Sequence, residues 1–285
     1  MTLASHTLQA SQGAVRSPLR VALRSYLALF VRSVRANFAY RQSLLPSMLA
    51  AALSYAVPVL VWRHVYALNP QSHAVPSAAM FPYLLLAGCL NYALGIGVEA
   101  RVGQRIRTGM IATDLLKPVD FQLAQASQAM SDGLFNSFLC VPIAAVAYAV
   151  LGSSVLPANF WAFCGFVVSA VLAFAIMFSI SFLFVQAAFF TYSGYGIFAA
   201  RSALQQTFSG LSAPLLMFPV WLRATSEWLP FRHTIHSPLS IYLGWTSGAR
   251  TLSVLLQQAL WATVLFAVGR WTLARSLRRL EIQGG

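Results

Sequence analysis

Few side chains of this 285-residue chain could perform acid–base or metal chemistry, since it holds only six acidic residues and five histidines. His233 and His236 lie three residues apart, a spacing that zinc ligands use, and Glu227 is the nearest carboxylate. No cysteine lies near them, and the acids do not form the paired or triad arrangements of hydrolytic sites. We therefore expect no catalytic residues and no metal site in this chain.

The only lysine, Lys117, excludes one class of nucleotide site. A Walker A loop needs a lysine that follows a glycine-rich turn and precedes serine or threonine. Lys117 instead follows Asp114-Leu115-Leu116 and precedes Pro118. The chain cannot bind ATP through such a loop, and we expect it to bind no cofactor of its own.

One apolar segment carries three polar residues that recur at every fourth position: Gln128, Asp132 and Asn136. Side chains at this spacing lie on the same face of a helix. A carboxylate inside a membrane is rare, and it faces protein or water rather than lipid. Two interpretations stay open. The face is either a hydrogen-bonded seam between helices near the cytoplasmic end, or an inward-open vestibule where Asp132 meets a cationic or polar substrate.

Apolar segments of membrane-spanning length must position these residues. The chain is 58% hydrophobic and only 9% charged, with a mean hydropathy of +0.68, whereas a soluble domain holds about 25% charged residues. A stretch of about 20 apolar residues crosses the hydrocarbon core of a bilayer. The pattern predicts an all-α polytopic membrane protein with six spans, at about residues 43–67, 77–98, 124–151, 158–190, 196–217 and 252–273.

The composition also divides the chain into four parts. We predict a disordered tail over 1–18, an interfacial amphipathic helix over 19–41, a membrane domain over 42–275 and a cytoplasmic tail over 276–285. The arginines of the interfacial helix fall on or beside one face: Arg20, Arg24, Arg32 and Arg35. Its apolar side chains should face the acyl chains of the inner leaflet: Leu23, Leu27, Phe30 and Val34.

The distribution of basic residues predicts the orientation in the membrane, because positive charge concentrates in cytoplasmic loops. With six spans and both termini in the cytoplasm, all but a few of the 19 lysine and arginine residues lie inside. The exceptions are Arg63, Arg223, Arg232 and Arg250. Orientation therefore accounts for the net charge of +13, and we expect no nucleic-acid partner.

Charges concentrate between the second and third spans, in residues 99–122. The ionisable side chains there are Glu99, Arg101, Arg105, Arg107, Asp114, Lys117 and Asp120. Pro118 should end a short helix that covers Ile111 to Leu116. A short charged helix with a small apolar face suits docking into a cleft of a soluble partner. An ordinary connecting loop is the alternative.

This same segment resembles a known family. Residues 105–122, RIRTGMIATDLLKPVDFQ, resemble the R-I-R-x-G-x-I-A-x-D-L-L-x-P-x-D signature of a bacterial ABC-2-type permease family. Two weaker blocks agree with the family pattern, within residues 26–41 and 209–244. The resemblance extends over about residues 19–280, essentially the whole membrane domain.

The resemblance implies a six-helix, type V exporter-like permease half in the bacterial cytoplasmic (inner) membrane. It implies two ATPase subunits, which bind ATP and Mg²⁺, and a second permease half in a homodimer or a related heterodimer. The connection between the second and third helices would be a coupling helix in the groove of the ATPase. Its candidate contacts are Arg105, Arg107, Thr108, Gly109, Ile111, Ala112, Asp114, Leu115 and Leu116.

In the family that the chain resembles, the fifth span borders the translocation path between the two halves. In this chain that span has a small polar face, which consists of Ser202, Gln206, Ser209 and Gly210. Helix packing through small residues explains the same pattern. The following residues, 219–244, mix prolines, aromatics and charges, which predicts a re-entrant or amphipathic elaboration at the outer headgroups.

Members of that family act mainly as exporters. The resemblance therefore implies export of an amphiphilic or hydrophobic small molecule, such as a drug, antibiotic, secondary metabolite or lipid. Two rival functions remain. A passive channel or lipid scramblase would work without nucleotide. An integral membrane enzyme acting on lipid would need clustered His, Asp or Glu at one membrane face, and the six acids do not cluster in this way.

Overall fold

The computed structural model describes residues 18–39, 44–68, 74–95, 97–117, 119–187 and 195–280, which form helices, turns and bends without any strand. Its α-helices are α1 (Pro18–Ala39), α2 (Leu44–Leu68), α3 (Ser77–Ala93), α4 (Val98–Arg107), α5 (Ile111–Leu115), α6 (Phe121–Leu151), α7 (Phe160–Ala187), α8 (Tyr195–Phe208), α9 (Val220–Glu227), α10 (His236–Tyr242) and α11 (Ala249–Leu280). Short 3-10 segments cover Gly152–Val155, Leu215–Met217 and Pro230–His233. The all-α prediction is confirmed for these residues.

Within the described ranges, four helical stretches are long and apolar enough to cross a bilayer. They are Ser77–Arg107, Phe121–Ala149, Gly152–Ala187 and Ala249–Ser276. These stretches overlap most of the predicted second, third, fourth and sixth spans, so the multi-pass prediction is confirmed. Helix α2 has 25 residues, a length of about 38 Å at 1.5 Å per residue. The count of six spans stays a prediction.

The predicted fifth span is shorter than expected, because α8 ends at Phe208 instead of continuing to about residue 217. Its 14 residues measure about 21 Å, less than the roughly 30 Å of the hydrocarbon core. Gly210 has a φ of +82°, a left-handed conformation that does not fit a right-handed helix. Pro214 then removes a backbone donor, so the chain bends away instead of continuing as a helix.

The segment that was expected at the outer headgroups divides into an exposed part and a buried part. In and beside α9, Trp221 is 69% exposed and Trp228 is 83% exposed. In contrast, α10 packs against α3 and α7, and its residues from His236 to Ile241 are buried. Neighbouring helices therefore cover the backbone of this second part, and its position relative to the membrane stays a prediction.

The apolar core surrounds α7, which packs against α11, α10, α4 and α8. Tyr83 of α3 is completely buried there. Its ring stacks on Trp245 at 5.4 Å between centroids, and its hydroxyl donates to the Gly210 carbonyl at 2.7 Å. These contacts hold the bend after α8 against the centre of the molecule.

Helix α1 packs lengthwise along α6. The Tyr26 hydroxyl accepts a hydrogen bond from the Asp120 backbone at 3.1 Å, and Phe38 contacts Phe135 edge-on at 5.1 Å between centroids. Phe30, one of the side chains expected to face acyl chains, is half-buried. The predicted helix is therefore present, and its position at the lipid headgroups stays a prediction.

Candidate coupling site

The coupling segment is the connection from α4 through α5 to α6, residues 98–120. It begins where α3 ends, and Asn136 of α6 fixes this end. The Asn136 amide donates to the carbonyls of Tyr92 at 3.1 Å and Gly95 at 3.0 Å. The last carbonyls of a helix have no partner within the helix. Asn136 therefore supplies a cap that lets the chain turn from α3 into α4.

Helix α4 is held to three neighbouring helices by ion pairs. The pairs are Glu99 with Arg201 of α8, Arg101 with Asp132 of α6, and Arg105 with Asp114 of α5. The second and third pairs are also hydrogen bonds, and hydrogen bonds between charged groups are stronger than neutral ones. Because α4 is one continuous helix of 10 residues, these three contacts connect α5 mechanically to α6 and α8.

The tip between α4 and α5 is a tight, solvent-facing turn. The Thr108 hydroxyl donates to the Gln104 carbonyl at 3.0 Å, and Gly109 has a φ of +71°. Beside this turn, the apolar side chain of Met110 is 53% exposed. At the end of α5, Leu116 is 85% exposed. The tip therefore presents two apolar side chains to the outside.

Asp114 braces the inner side of this tip. Its side chain is 7% exposed and forms ion pairs with Arg105 and with the Lys117 amine, the latter at 2.6 Å. Burial opposes ionisation of the carboxyl, but the hydrogen bonds from Lys117 and Arg105 outweigh it and lower the pKa of Asp114 below its ordinary value. Asp114 is therefore a charged brace inside the segment.

The nine candidate contacts divide by their exposure. The exposed ones are Arg107, Thr108, Gly109, Ala112 and Leu116. Arg105 and Leu115 are half-buried, whereas Ile111 and Asp114 are buried. Met110 and Thr113 are exposed at the same tip, although the sequence argument did not include them. Once Ile111 and Asp114 are placed inside, a helical period of 3.6 residues puts Thr113 outside, whereas Met110 is exposed because it lies in the turn before α5.

Asp132 belongs to a seam between helices. One carboxylate oxygen accepts from Arg101, and the other accepts from the Asn37 amide at 3.1 Å. Only 15% of its side chain is exposed. This arrangement joins α1, α4 and α6, and it favours the interpretation of Asp132 as a structural residue over that of a substrate ligand.

The other polar residues of the predicted path do not converge on one surface. Gln128 lines a cavity beside α1, whereas Asn136 caps α3. On α8, Ser202 is half-buried and Gln206 is exposed. Ser209 is buried, and its backbone carbonyl accepts from His236 at 3.0 Å.

Asp120 ties the end of the coupling segment to two further helices. Its carboxylate caps α6 by accepting from the Leu123 backbone at 2.9 Å. The same carboxylate pairs with Arg270 of α11 at 2.7 Å. The helix dipole also stabilises the negative charge of a carboxylate at a helix N-terminus. Asp120 therefore serves both as a helix cap and as an ion-pair partner.

The two histidines have separate partners in the buried network around α10. The Nδ1 atom of His233 lies 3.1 Å from the Ser237 hydroxyl. The Nδ1 atom of His236 lies 3.4 Å from the Tyr83 hydroxyl. The Gln258 amide of α11 donates to the His233 carbonyl at 2.8 Å. The geometry gives both residues a structural role in holding α10 within the protein.

A family model described as ABC-2 family transporter protein matches residues 48–284 of the chain. The matched range contains the coupling segment and every helix from α3 to α11. No curated protein matches the chain.

Proposed function

The chain belongs to the ABC-2 family of transporter proteins, and from this premise we propose that it is the membrane-spanning permease subunit of an exporter driven by ATP hydrolysis on a separate chain. Two ATPase copies, which bind ATP and Mg²⁺, and a second permease half would complete the pump. The second half is a copy of this chain or a related one. The pump would lie in the bacterial cytoplasmic (inner) membrane, with six spans and both termini in the cytoplasm.

The observation that carries this proposal is the tip of the coupling segment. Met110 and Leu116 expose apolar side chains, and Arg107 and Thr108 are exposed beside them. Apolar anchors surrounded by polar groups are characteristic of protein–protein contacts. The tip would fill a groove on the ATPase, because it is narrow and is braced from within by Asp114.

Motion of the ATPase would reach the membrane helices through α4. Displacement of α5 pulls on α4 through the Arg105–Asp114 pair. The pairs of Glu99 with Arg201 and of Arg101 with Asp132 then transmit the displacement to α8 and α6. Nucleotide binding shifts the balance between inward- and outward-facing states by its different affinity for the two.

The cargo in this proposal is an amphiphilic or hydrophobic small molecule. The described spans carry few charges, and those of Glu99, Arg101 and Asp132 are matched within the protein. A cargo with a compensating charge is therefore not required. Drugs, antibiotics, secondary metabolites and lipids share this chemistry.

The test is co-purification with the ATPase that we expect to be encoded beside this gene. Leu116→Ser should reduce the amount of ATPase retained by about fivefold, since losing an apolar anchor costs roughly 1 kcal/mol or more. Leu156→Ser is the matched control, because Leu156 is also exposed, at 49%, but lies beyond the far end of α6. Equal retention by both variants would remove the proposed role of the tip.

The export mechanism needs a separate measurement in proteoliposomes. With the ATPase, the chain should move an amphiphilic dye only when ATP is present, and alone it should hydrolyse no ATP. Equal dye or lipid flux by the chain alone, with and without nucleotide, would contradict the proposal and favour a channel or scramblase.

A further inference from the structure

A cavity of about 350 Å³ lies between α1, the coupling segment and the first turns of α6. Pockets for small molecules occupy roughly 300–1,000 Å³. Helix α1 contributes Ser25 to Arg32, at intervals of three and four residues, and α6 contributes Phe121 to Gln128 at the same intervals. Each helix therefore presents one face to the cavity, and the transport function proposed above gives this space no ligand.

Positive charge exceeds negative charge around the cavity. Asp114 is the only carboxylate among its lining residues, and Arg105 and Lys117 already neutralise it. Arg32 also lines the cavity, and among the described residues it forms no ion pair. An anion entering the cavity would therefore meet a guanidinium without a competing carboxylate.

The remaining wall combines apolar side chains with amides. Leu29, Val119 and Phe121 supply apolar surface. Gln125 is 4% exposed, and its amide oxygen has no hydrogen-bond partner among the described residues. A buried acceptor without a donor is unfavourable. The lining therefore suits a ligand with a negative group, an apolar part and a hydroxyl donor.

The surroundings of the cavity distinguish a membrane lipid from a soluble anion. On the outer side of α1, Leu27 is 58% exposed and Val31 is 38% exposed, and Arg24 and Arg32 of the same helix are exposed as well. Helices that expose apolar and basic side chains together bind at the surface of anionic bilayers. A lipid in that surface could place its headgroup beside Arg32.

We propose that this cavity binds the headgroup of an anionic phospholipid from the inner leaflet. Arg32 binds the phosphate, and Gln125 accepts from a hydroxyl of the headgroup. The apolar wall contacts the glycerol backbone and the start of the acyl chains. This site does not depend on transport, but its assignment to the inner leaflet rests on the orientation proposed above, with both termini in the cytoplasm.

The experiment uses the full-length chain in nanodiscs of phosphatidylcholine, with or without phosphatidylglycerol. The measurements are the thermal unfolding midpoint and the phosphatidylglycerol retained in native mass spectrometry. Arg32→Gln should weaken phosphatidylglycerol retention by about tenfold, because it removes a charged hydrogen bond. Ala28→Phe, which fills the cavity from α1, should have a similar effect. Arg24→Gln removes the same charge from the same helix outside the cavity, and it should retain the lipid like the unmodified chain.

Each possible result of these measurements either supports the proposal or overturns it. Phosphatidylglycerol should raise the unfolding midpoint of the unmodified chain and of Arg24→Gln, but not that of Arg32→Gln or Ala28→Phe. Equal lipid retention by the two arginine variants would overturn the site, since attraction of lipid would then be a property of the whole basic helix. Stabilisation by inorganic phosphate that matches the effect of phosphatidylglycerol would also overturn it, because a soluble anion would then be the ligand.

Discussion

Glu99 of α4 and Arg201 of α8 form an ion pair in which only 15% and 12% of the two side chains are exposed. This pair joins the coupling segment to the helix that was predicted as the fifth span. Two charges in a shielded site stabilise each other, but either charge alone would be left without compensation. The pair therefore couples the position of α8 to that of α4.

Glu99→Gln should destabilise the protein strongly, by about 3 kcal/mol or more, because it leaves the Arg201 guanidinium buried and unpaired. The double variant Glu99→Gln with Arg201→Gln should recover part of this loss in thermal unfolding. Glu227→Gln serves as the control: Glu227 is 57% exposed and lies 3.8 Å from Arg232, so its loss should cost below about 1 kcal/mol. Equal unfolding midpoints for Glu99→Gln and Glu227→Gln would contradict the structural role of the first pair.

Asp132→Asn should lower the unfolding midpoint and reduce ATP-driven transport of cationic and neutral dyes by the same factor. The reason is that Asp132 binds Arg101 and Asn37 within the protein. Ser137→Ala, on an exposed position of the same helix, should change neither measurement. Selective loss of cationic dye transport with an unchanged midpoint would instead support a substrate vestibule at Asp132.

The coupling segment should loosen in acid. The pKa of Asp114 is lower in the folded chain than its ordinary value of 3.8, so its ion pairs contribute full stability above about pH 4. That contribution disappears as the pH falls through the lower pKa of the folded state. Amide hydrogen exchange over residues 108–117, corrected for the intrinsic rate, should show reduced protection at acidic pH.

Asp114→Asn separates this effect from general acid denaturation. The variant should show reduced protection of residues 108–117 already at neutral pH and little further change over the same acid range. Loss of protection with the same pH dependence in the variant and in the unmodified chain would assign the effect to other groups.

Gly210→Ala should destabilise the bend after α8. A methyl group there would lie 2.8 Å from the Tyr83 hydroxyl, and the φ of +82° disfavours any L side chain. Gly248→Ala is the matched control, because Gly248 has a φ of +59° but no atom within 4 Å of the added carbon. In the control, the free energy of unfolding should fall only by the cost of placing an L residue at positive φ, about 1–2 kcal/mol. In Gly210→Ala it should fall by more. Equal losses of stability in the two variants would show that the Tyr83 hydroxyl can move away from the added methyl group at little cost.

The composition and hydrophobic periodicity of the sequence determined that the chain is helical and crosses a membrane several times. Runs such as Phe160–Ala187 are apolar on all sides, so no other environment could cover them. The sequence also indicated where a charged connection interrupts the spans, at the segment for which a coupling role is proposed. Its charges and Pro118 interrupt the apolar pattern, and its residue order resembles the family signature over 105–122.

Only the tertiary structure decided how individual polar residues are used. Asp132 and Arg101 are 31 residues apart. The spacing of residues along a single helix does not indicate that α4 and α6 bring these two side chains together. In the same way, Gly210 and Pro214 signal a break after α8, but not that α10 packs between α3 and α7. The spacing of hydrophobic residues depends on neighbours along one helix. Ion pairs and the burial of α10 depend instead on which helices pack against each other in the folded chain.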